Sequence, residues 1–264
     1  MSLVLHIPHA SAAIPATALD DFVVSGETIE HEKRRLIDHF TDVLFLAGGL
    51  VRERAAIAPV CRLVVDVERF HADEQEPASK VGMGAIYTTT TLGEPLRDMT
   101  AARRQELLDQ YYTPHHTRLD RLVEDSVDTT GCCVVLDCHS FPVEPLPTQT
   151  TFLDVSPEIC VGTDPRHTPV ELVQLVVSHF AELGYEVLVD KPFSGSLVPN
   201  GAYKRKDSRV ESVMVEVRRD LYMDESTGEK NEGFGRVQEA LIGVREKLDR
   251  YAAAKAGRAA VRPA

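Results

Sequence analysis

The run Gly131-Cys132-Cys133-Val134-Val135-Leu136-Asp137 constrains the fold more than any other stretch of this chain. Five consecutive apolar residues after a glycine, with no polar alternation, describe a strand covered on both faces. Strands of that kind belong to parallel sheets sandwiched between helices. The rest of the chain repeats the matching rhythm. Leu3–Ile7 reads as a first strand closed by Pro8. Leu36, Phe40, Val43, Leu44 and Ala47 share a helical period, which predicts one helix over 30–47 stopped by Gly48-Gly49. Residues 50–58 and 63–67 read as the next strands, 71–93 as a long loop, and 95–125 as a helix broken near Pro114. Further strands are expected at 159–162, 185–189 and 210–217, with helices at 169–183 and 233–254 and a loop over 191–203. Alternation of this kind predicts a single α/β domain over 1–254, a mostly parallel mixed sheet with helices on both faces, and a frayed tail over 255–264.

Composition excludes several partners. Twenty-nine basic residues stand against 41 acidic ones, a net charge of −12. Nucleic acid needs clustered cations, so none is expected. No stretch of about 18 apolar residues occurs, so no membrane span is expected, and the first residues lack the pattern of a signal peptide. The five cysteines are odd in number and irregularly spaced, which fits reduced thiols in a cytoplasmic protein.

Polar residues fall where a parallel sheet would gather them. Three clusters follow expected strands: His6-Ile7-Pro8-His9, Asp66-Val67-Glu68-Arg69-Phe70-His71 and Asp137-Cys138-His139-Ser140. A fourth, Glu216-Val217-Arg218-Arg219, ends the strand 213–217. Ligands of open α/β sheets bind beyond the carboxyl ends of the strands, so the four converge if the sheet is parallel. Imidazoles and carboxylates together hold Zn2+, which acidifies water. A nearby Glu can shuttle the proton and an Arg can hold a carboxylate. Each residue also has a structural reading. His6 sits inside a strand, Glu216 can pair with Arg218, and Arg69 can be a surface or paired cation. Cys138 and His139 are strand neighbours on opposite faces, so they make no nucleophilic dyad. G-x-S-x-G and H-E-x-x-H motifs and a phosphate-cradling loop are all lacking.

Five blocks in order resemble the N-formylglutamate amidohydrolase family. They are His6-Ile7-Pro8-His9-Ala10-Ser11, the segment from Arg62 to Arg69, Leu136-Asp137-Cys138-His139-Ser140, Lys191-Pro192-Phe193-Ser194-Gly195, and the segment from Glu216 to Met223. The second departs from the family pattern, with Glu68 where Asn is usual. The resemblance implies a zinc-carboxypeptidase-like fold and hydrolysis of a small-molecule N-acyl amino acid. It implies His9 and His139 as metal ligands, Glu216 as general base, and Arg69 with Arg218 as substrate-binding residues. Asp38 is chosen as third ligand, with Asp66 and Glu68 as the other candidates. Two other functions are weighed: a peptidase or deacylase of larger substrates, and a non-catalytic binding protein.

Overall fold

The strand signalled by the apolar run is β3 (Cys133–Phe141), and all nine of its residues are buried. The computed structural model describes residues 2–49, 52–146 and 156–260. Around β3 stand β1 (Leu3–Ile7), β2 (Ala55–Ile57), β4 (Ile159–Gly162), β5 (Val187–Val189) and β6 (Val210–Arg218), in the order β2-β1-β3-β6-β4-β5. The first four positions run parallel, while β4 lies antiparallel to β6 and parallel to β5. The sheet is therefore mixed and mostly parallel, as expected. A small hairpin pairs β7 (Met223–Asp224) with β8 (Glu229–Lys230).

Helices cover both faces. On one, α6 (Val170–Glu182) and α8 (Phe234–Ala260) pack Leu172, Val176, Leu241 and Val244 onto Leu5, Leu136, Cys138 and Val215. On the other, α5 (Thr113–Thr130) sets Leu119 and Val123 against Val4, Val135 and Val210. Side chains alternate across a strand. Leu136 and Cys138 thus face α6 and α8, while Asp137 and His139 share the α5 face with His6 and Glu216. Register completes the alignment, because His6 lies beside Asp137 and His139 beside Glu216.

Two elements depart from the sequence reading in ways that build the site. After the short α1 (Ala16–Leu19), the expected helix over 30–47 is two helices, α2 (Gly26–Leu36) and α3 (Thr41–Phe45). The chain turns extended at Ile37, and Phe40 takes a left-handed φ of 64°. The carbonyls that end α2 find other donors: Arg34 from His39, Arg35 from Arg219 and Leu36 from Arg62. With those groups satisfied from outside, continuing the helix gains nothing for them. Residues 63–67 form no strand. Their amides bond local carbonyls instead, Val64 to Cys61 and Asp66 to Ala85, and Leu63, Val64 and Val65 are buried between the loops.

Smaller differences follow the same logic. Pro114 lies in the first turn of α5, where its missing N–H costs little. The irregularity falls just before it, as a π turn over Leu108–Tyr112 that joins α4 (Ala101–Leu107) to α5. The loop over 191–203 closes into α7 (Asn200–Arg205). The tail expected to fray is helical through Ala260, and Lys255 bonds Glu211; residues 261–264 lie outside the described ones. No helix among the described residues is long and apolar enough to cross a membrane.

Gly162 on β4 permits a close approach that no side chain would. A Cβ there would collide with the Gly195 carbonyl oxygen and the Met214 side chain. Gly162→Ala should therefore force the 192–197 segment away from the sheet. The expected loss is roughly 1–3 kcal/mol, the usual cost of overpacking, read as a lower urea midpoint at an unchanged slope.

Candidate metal and catalytic centre

The carboxyl ends of β1, β3 and β6 open onto a cavity of about 740 Å3. His9, from the turn after β1, reaches it beside His139 of β3, with ring centroids 5.3 Å apart. Asp38 enters from the break between α2 and α3. Its backbone N–H donates to the His9 carbonyl at 3.0 Å, which ties that break to the end of β1. Its Oδ2 lies 3.1 Å from His139 Nδ1 and 3.6 Å from His9 Nδ1. All three side chains are buried. One ligand atom from each falls within 4.8 Å of the others, a group able to hold a metal ion.

Second carboxylates orient both rings. His9 Nε2 bonds Asp66 Oδ1 at 2.8 Å, and His139 Nε2 bonds Asp137 Oδ1 at 3.0 Å. His9 Nε2 donates to the ionised Asp66, which leaves its Nδ1 lone pair facing Asp38. Burial opposes a charge on His139, but Glu68, Asp137 and Asp38 hold its imidazole well above the ordinary value, so it donates from both nitrogens, and a bound cation would take the place of its Nδ1 proton. His9 Nδ1 is buried with no hydrogen-bond partner. A buried lone pair aimed at an imidazole and a carboxylate is what a divalent ion would need, so the residues fit a metal.

The supporting carboxylates are themselves held. Asp66 Oδ2 accepts from Arg62 Nη2 at 2.7 Å and Tyr87 Oη at 2.6 Å. Burial opposes its ionisation, but Arg62, His9 and Arg69 hold its carboxyl well below the usual value. Asp137 also accepts from His6 Nδ1 at 2.7 Å and the Leu197 amide at 2.8 Å. Burial again opposes the charge, and His139 and His6 overcome it, keeping the carboxyl well below its usual range. Asp38 behaves likewise through His139 and His9. Arg219 Nη2 adds a contact to Asp38 Oδ1 at 3.1 Å.

Glu216 differs from these three. It lines the cavity beside His139, and its Oε2 is buried without a hydrogen-bond partner. Burial pushes its carboxyl up to about 8, with Asp38 and Glu68 adding to the rise against the pull of His139. A carboxyl poised near neutrality is suited to proton transfer. It forms no bridge to Arg218.

The other expected site residues divide. Arg69 lines the cavity. Its Nε approaches Asp66 at 3.7 Å and makes no hydrogen bond. Glu68 turns to His139 Nε2 at 3.0 Å rather than to Arg69. Arg218 is not brought to the site. Its guanidinium bonds Asp220 and the Ser156 carbonyl, and Arg219 lines the cavity instead. Consecutive residues at a strand end point to opposite sides, and the Arg-Arg pair in the sequence carries no sign of which one turns inward. Arg35 and Arg62 also line the cavity; Arg62 heads the second family-like block but was given no role, and Arg35 had no distinguishing sequence signal.

The fold and centre define an α/β protein with a histidine–carboxylate site at the edge of a parallel sheet. The family model for N-formylglutamate amidohydrolase matches residues 1–223, and the chain belongs to that family of amidohydrolases. It is similar to the crystal structure of N-formylglutamate amidohydrolase from Ralstonia eutropha JMP134, with a TM-score of 0.81 at 27% identity over 96% of this chain and 94% of that one. A gene product of Agrobacterium tumefaciens shares the fold, with a TM-score of 0.63 at 19% identity over 94% of this chain and 92% of that one. No curated protein matches the chain.

Asp66 offers a direct test of the network. Its folded carboxyl lies below its ordinary value of 3.8. The stability it contributes is thus complete above about pH 4 and is lost as pH falls through the folded value. Asp66→Asn leaves Arg62 without its buried partner and should cost about 3–5 kcal/mol at pH 7. Its denaturation midpoint should also fall less between pH 5 and pH 3 than that of the parent chain, compared by urea titration.

Proposed function

We propose that this protein hydrolyses the amide bond of an N-acyl amino acid, N-formyl-L-glutamate or a close relative, with a divalent metal, zinc, held by His9, Asp38 and His139. The observation that carries the reading is the convergence of those three ligand atoms, with His9 Nδ1 buried and unpartnered. When bound, the ion supplies a Lewis acid that polarises an acyl carbonyl and acidifies water. Glu216 takes a proton from the attacking water and returns it to the leaving amine nitrogen. Burial, reinforced by Asp38 and Glu68, holds this carboxyl protonated near neutrality; a cation bound beside it would favour its ionised form, which takes the proton, and its Oε2 has no competing hydrogen-bond partner. Arg69 holds the substrate α-carboxylate, since it lines the cavity and no hydrogen bond among the described residues ties its guanidinium down. Arg219 holds Asp38 rather than substrate. The substrate follows from the family and its Ralstonia relative. A cytoplasmic setting accords with five buried, unpaired cysteines.

A second reading has a specific observation behind it. Phe70 and Val81 line the same cavity yet are 57% and 49% exposed, an apolar rim beyond the polar floor. Such a rim favours an acyl group larger than formyl, and a series of N-acyl glutamates ranked by kcat/KM separates the two.

The main reading is tested by metal content and N-formylglutamate hydrolysis on one preparation, before and after chelation. About one equivalent of zinc and chelator-sensitive, zinc-restored turnover are expected. Turnover that survives complete chelation would sink the metal assignment. Glu216→Gln should retain zinc while kcat falls roughly 10²–10⁴-fold, the usual weight of a general acid–base.

A further inference from the structure

Four arginines line the cavity: Arg35, Arg62, Arg69 and Arg219. Two are already committed. Arg62 grips Asp66 through Nε and Nη2 and the Leu36 carbonyl through Nη1. Arg219 grips Asp38, Ser140 and the Arg35 carbonyl. Arg35 and Arg69 are different. Neither guanidinium makes a hydrogen bond among the described residues, and Arg35 has no ion-pair partner there either. The backbone of Arg35 is nevertheless fixed, because its carbonyl accepts from Arg219 at 2.8 Å. It stands three residues before Asp38, in the last turn of α2.

We propose that Arg35 is a specificity-determining residue that binds a second, distal carboxylate of the substrate while Arg69 takes the α-carboxylate. The assignment rests on the amidohydrolase reading above. An uncommitted guanidinium in a cavity is a fixed fork of donors for a planar anion. One such group recognises a monoacid, and two from separate elements recognise a dicarboxylic amino acid. Arg69 belongs to the α-carboxylate because it lies 3.7 Å from Asp66, which bonds His9. That places it beside the cluster where the amide must sit. Arg35 comes from another element and is left for the side-chain end. Glu68 does not neutralise the pair, since its carboxylate is engaged by His139. The preference is therefore for a glutamate or aspartate derivative over the neutral amide of the same shape.

The test compares N-formyl-L-glutamate with N-formyl-L-glutamine on the zinc-loaded parent and on Arg35→Ala and Arg35→Lys. The parent should favour the glutamate derivative. Arg35→Ala should raise its KM roughly 10- to 100-fold, the weight of a charge-assisted contact, with kcat changed far less. The KM for the glutamine derivative should move by less than about a third of that factor, and Arg35→Lys should fall between. Equal use of both substrates by the parent, or an equal loss on both in Arg35→Ala, would overturn the clamp and leave the hydrolase reading intact. Calorimetric binding of L-glutamate and L-glutamine separates the opposite failure. Absence of turnover, with glutamate binding lost in Arg35→Ala, would retain the clamp and reject the hydrolysis. Absence of turnover with no selective glutamate binding would reject both.

Discussion

Asp38 is the joint on which the centre depends. Its amide holds the His9 carbonyl, and its carboxylate meets His139, the Ser140 amide and Arg219. One residue thereby links the turn after β1, the break after α2, the end of β3 and the segment after β6. A fully buried carboxylate survives only if its charge is matched and its oxygens are hydrogen-bonded. Both conditions are met here, by groups that also need it. Arg219, 2% exposed, would otherwise be a buried cation facing only carbonyls and the Ser140 hydroxyl.

The centre has a layered logic. Three carboxylates, Asp38, Asp66 and Asp137, are kept ionised by dense hydrogen bonding, while Glu216 is kept from ionising by burial without a partner. Environment alone separates one group of carboxyls into ionised anchors and one raised carboxyl, the proton carrier of the proposed reaction. Similar reasoning sorts the arginines. Arg62 and Arg219 are consumed in holding the anchors, and Arg35 and Arg69 remain open to the cavity. On the proposed reading, metal binding, proton transfer and anion recognition fall to distinct residues on rigid supports, a condition for accurate positioning.

Much of this was legible in the sequence, and what was missed has physical causes. The β3 run was the strongest strand signal, because a short apolar run after a glycine, with two valines, suits a doubly covered strand. His9, His139 and Glu216 could be picked out because they follow or end such strands. Asp38 was placed inside a continuous helical period, and only the outside capping of the α2 carbonyls shows why the helix stops before it. Residues 63–67 are as apolar as a strand, yet their amides bond the Cys61 and Ala85 carbonyls rather than a ladder. Arg218 and Arg219 are alike in type and adjacent, so local pattern could not rank them. Arg35 follows Lys33 and Arg34 in a charged last turn of α2, where a solvated role is the ordinary expectation.

By itself the sequence determined the α/β alternation, the central strand, and the supply of imidazoles and carboxylates at strand ends. Those follow from periodicity and from burial, which act over a few residues. Tertiary structure alone decided which carboxylate meets the two imidazoles, which arginine lines the cavity and which cavity cations make no hydrogen bond among the described residues. Asp38 and His139 meet across 101 positions of chain. Contacts of that separation depend on strand order, register and the exact point where a helix ends, and no local spacing encodes them.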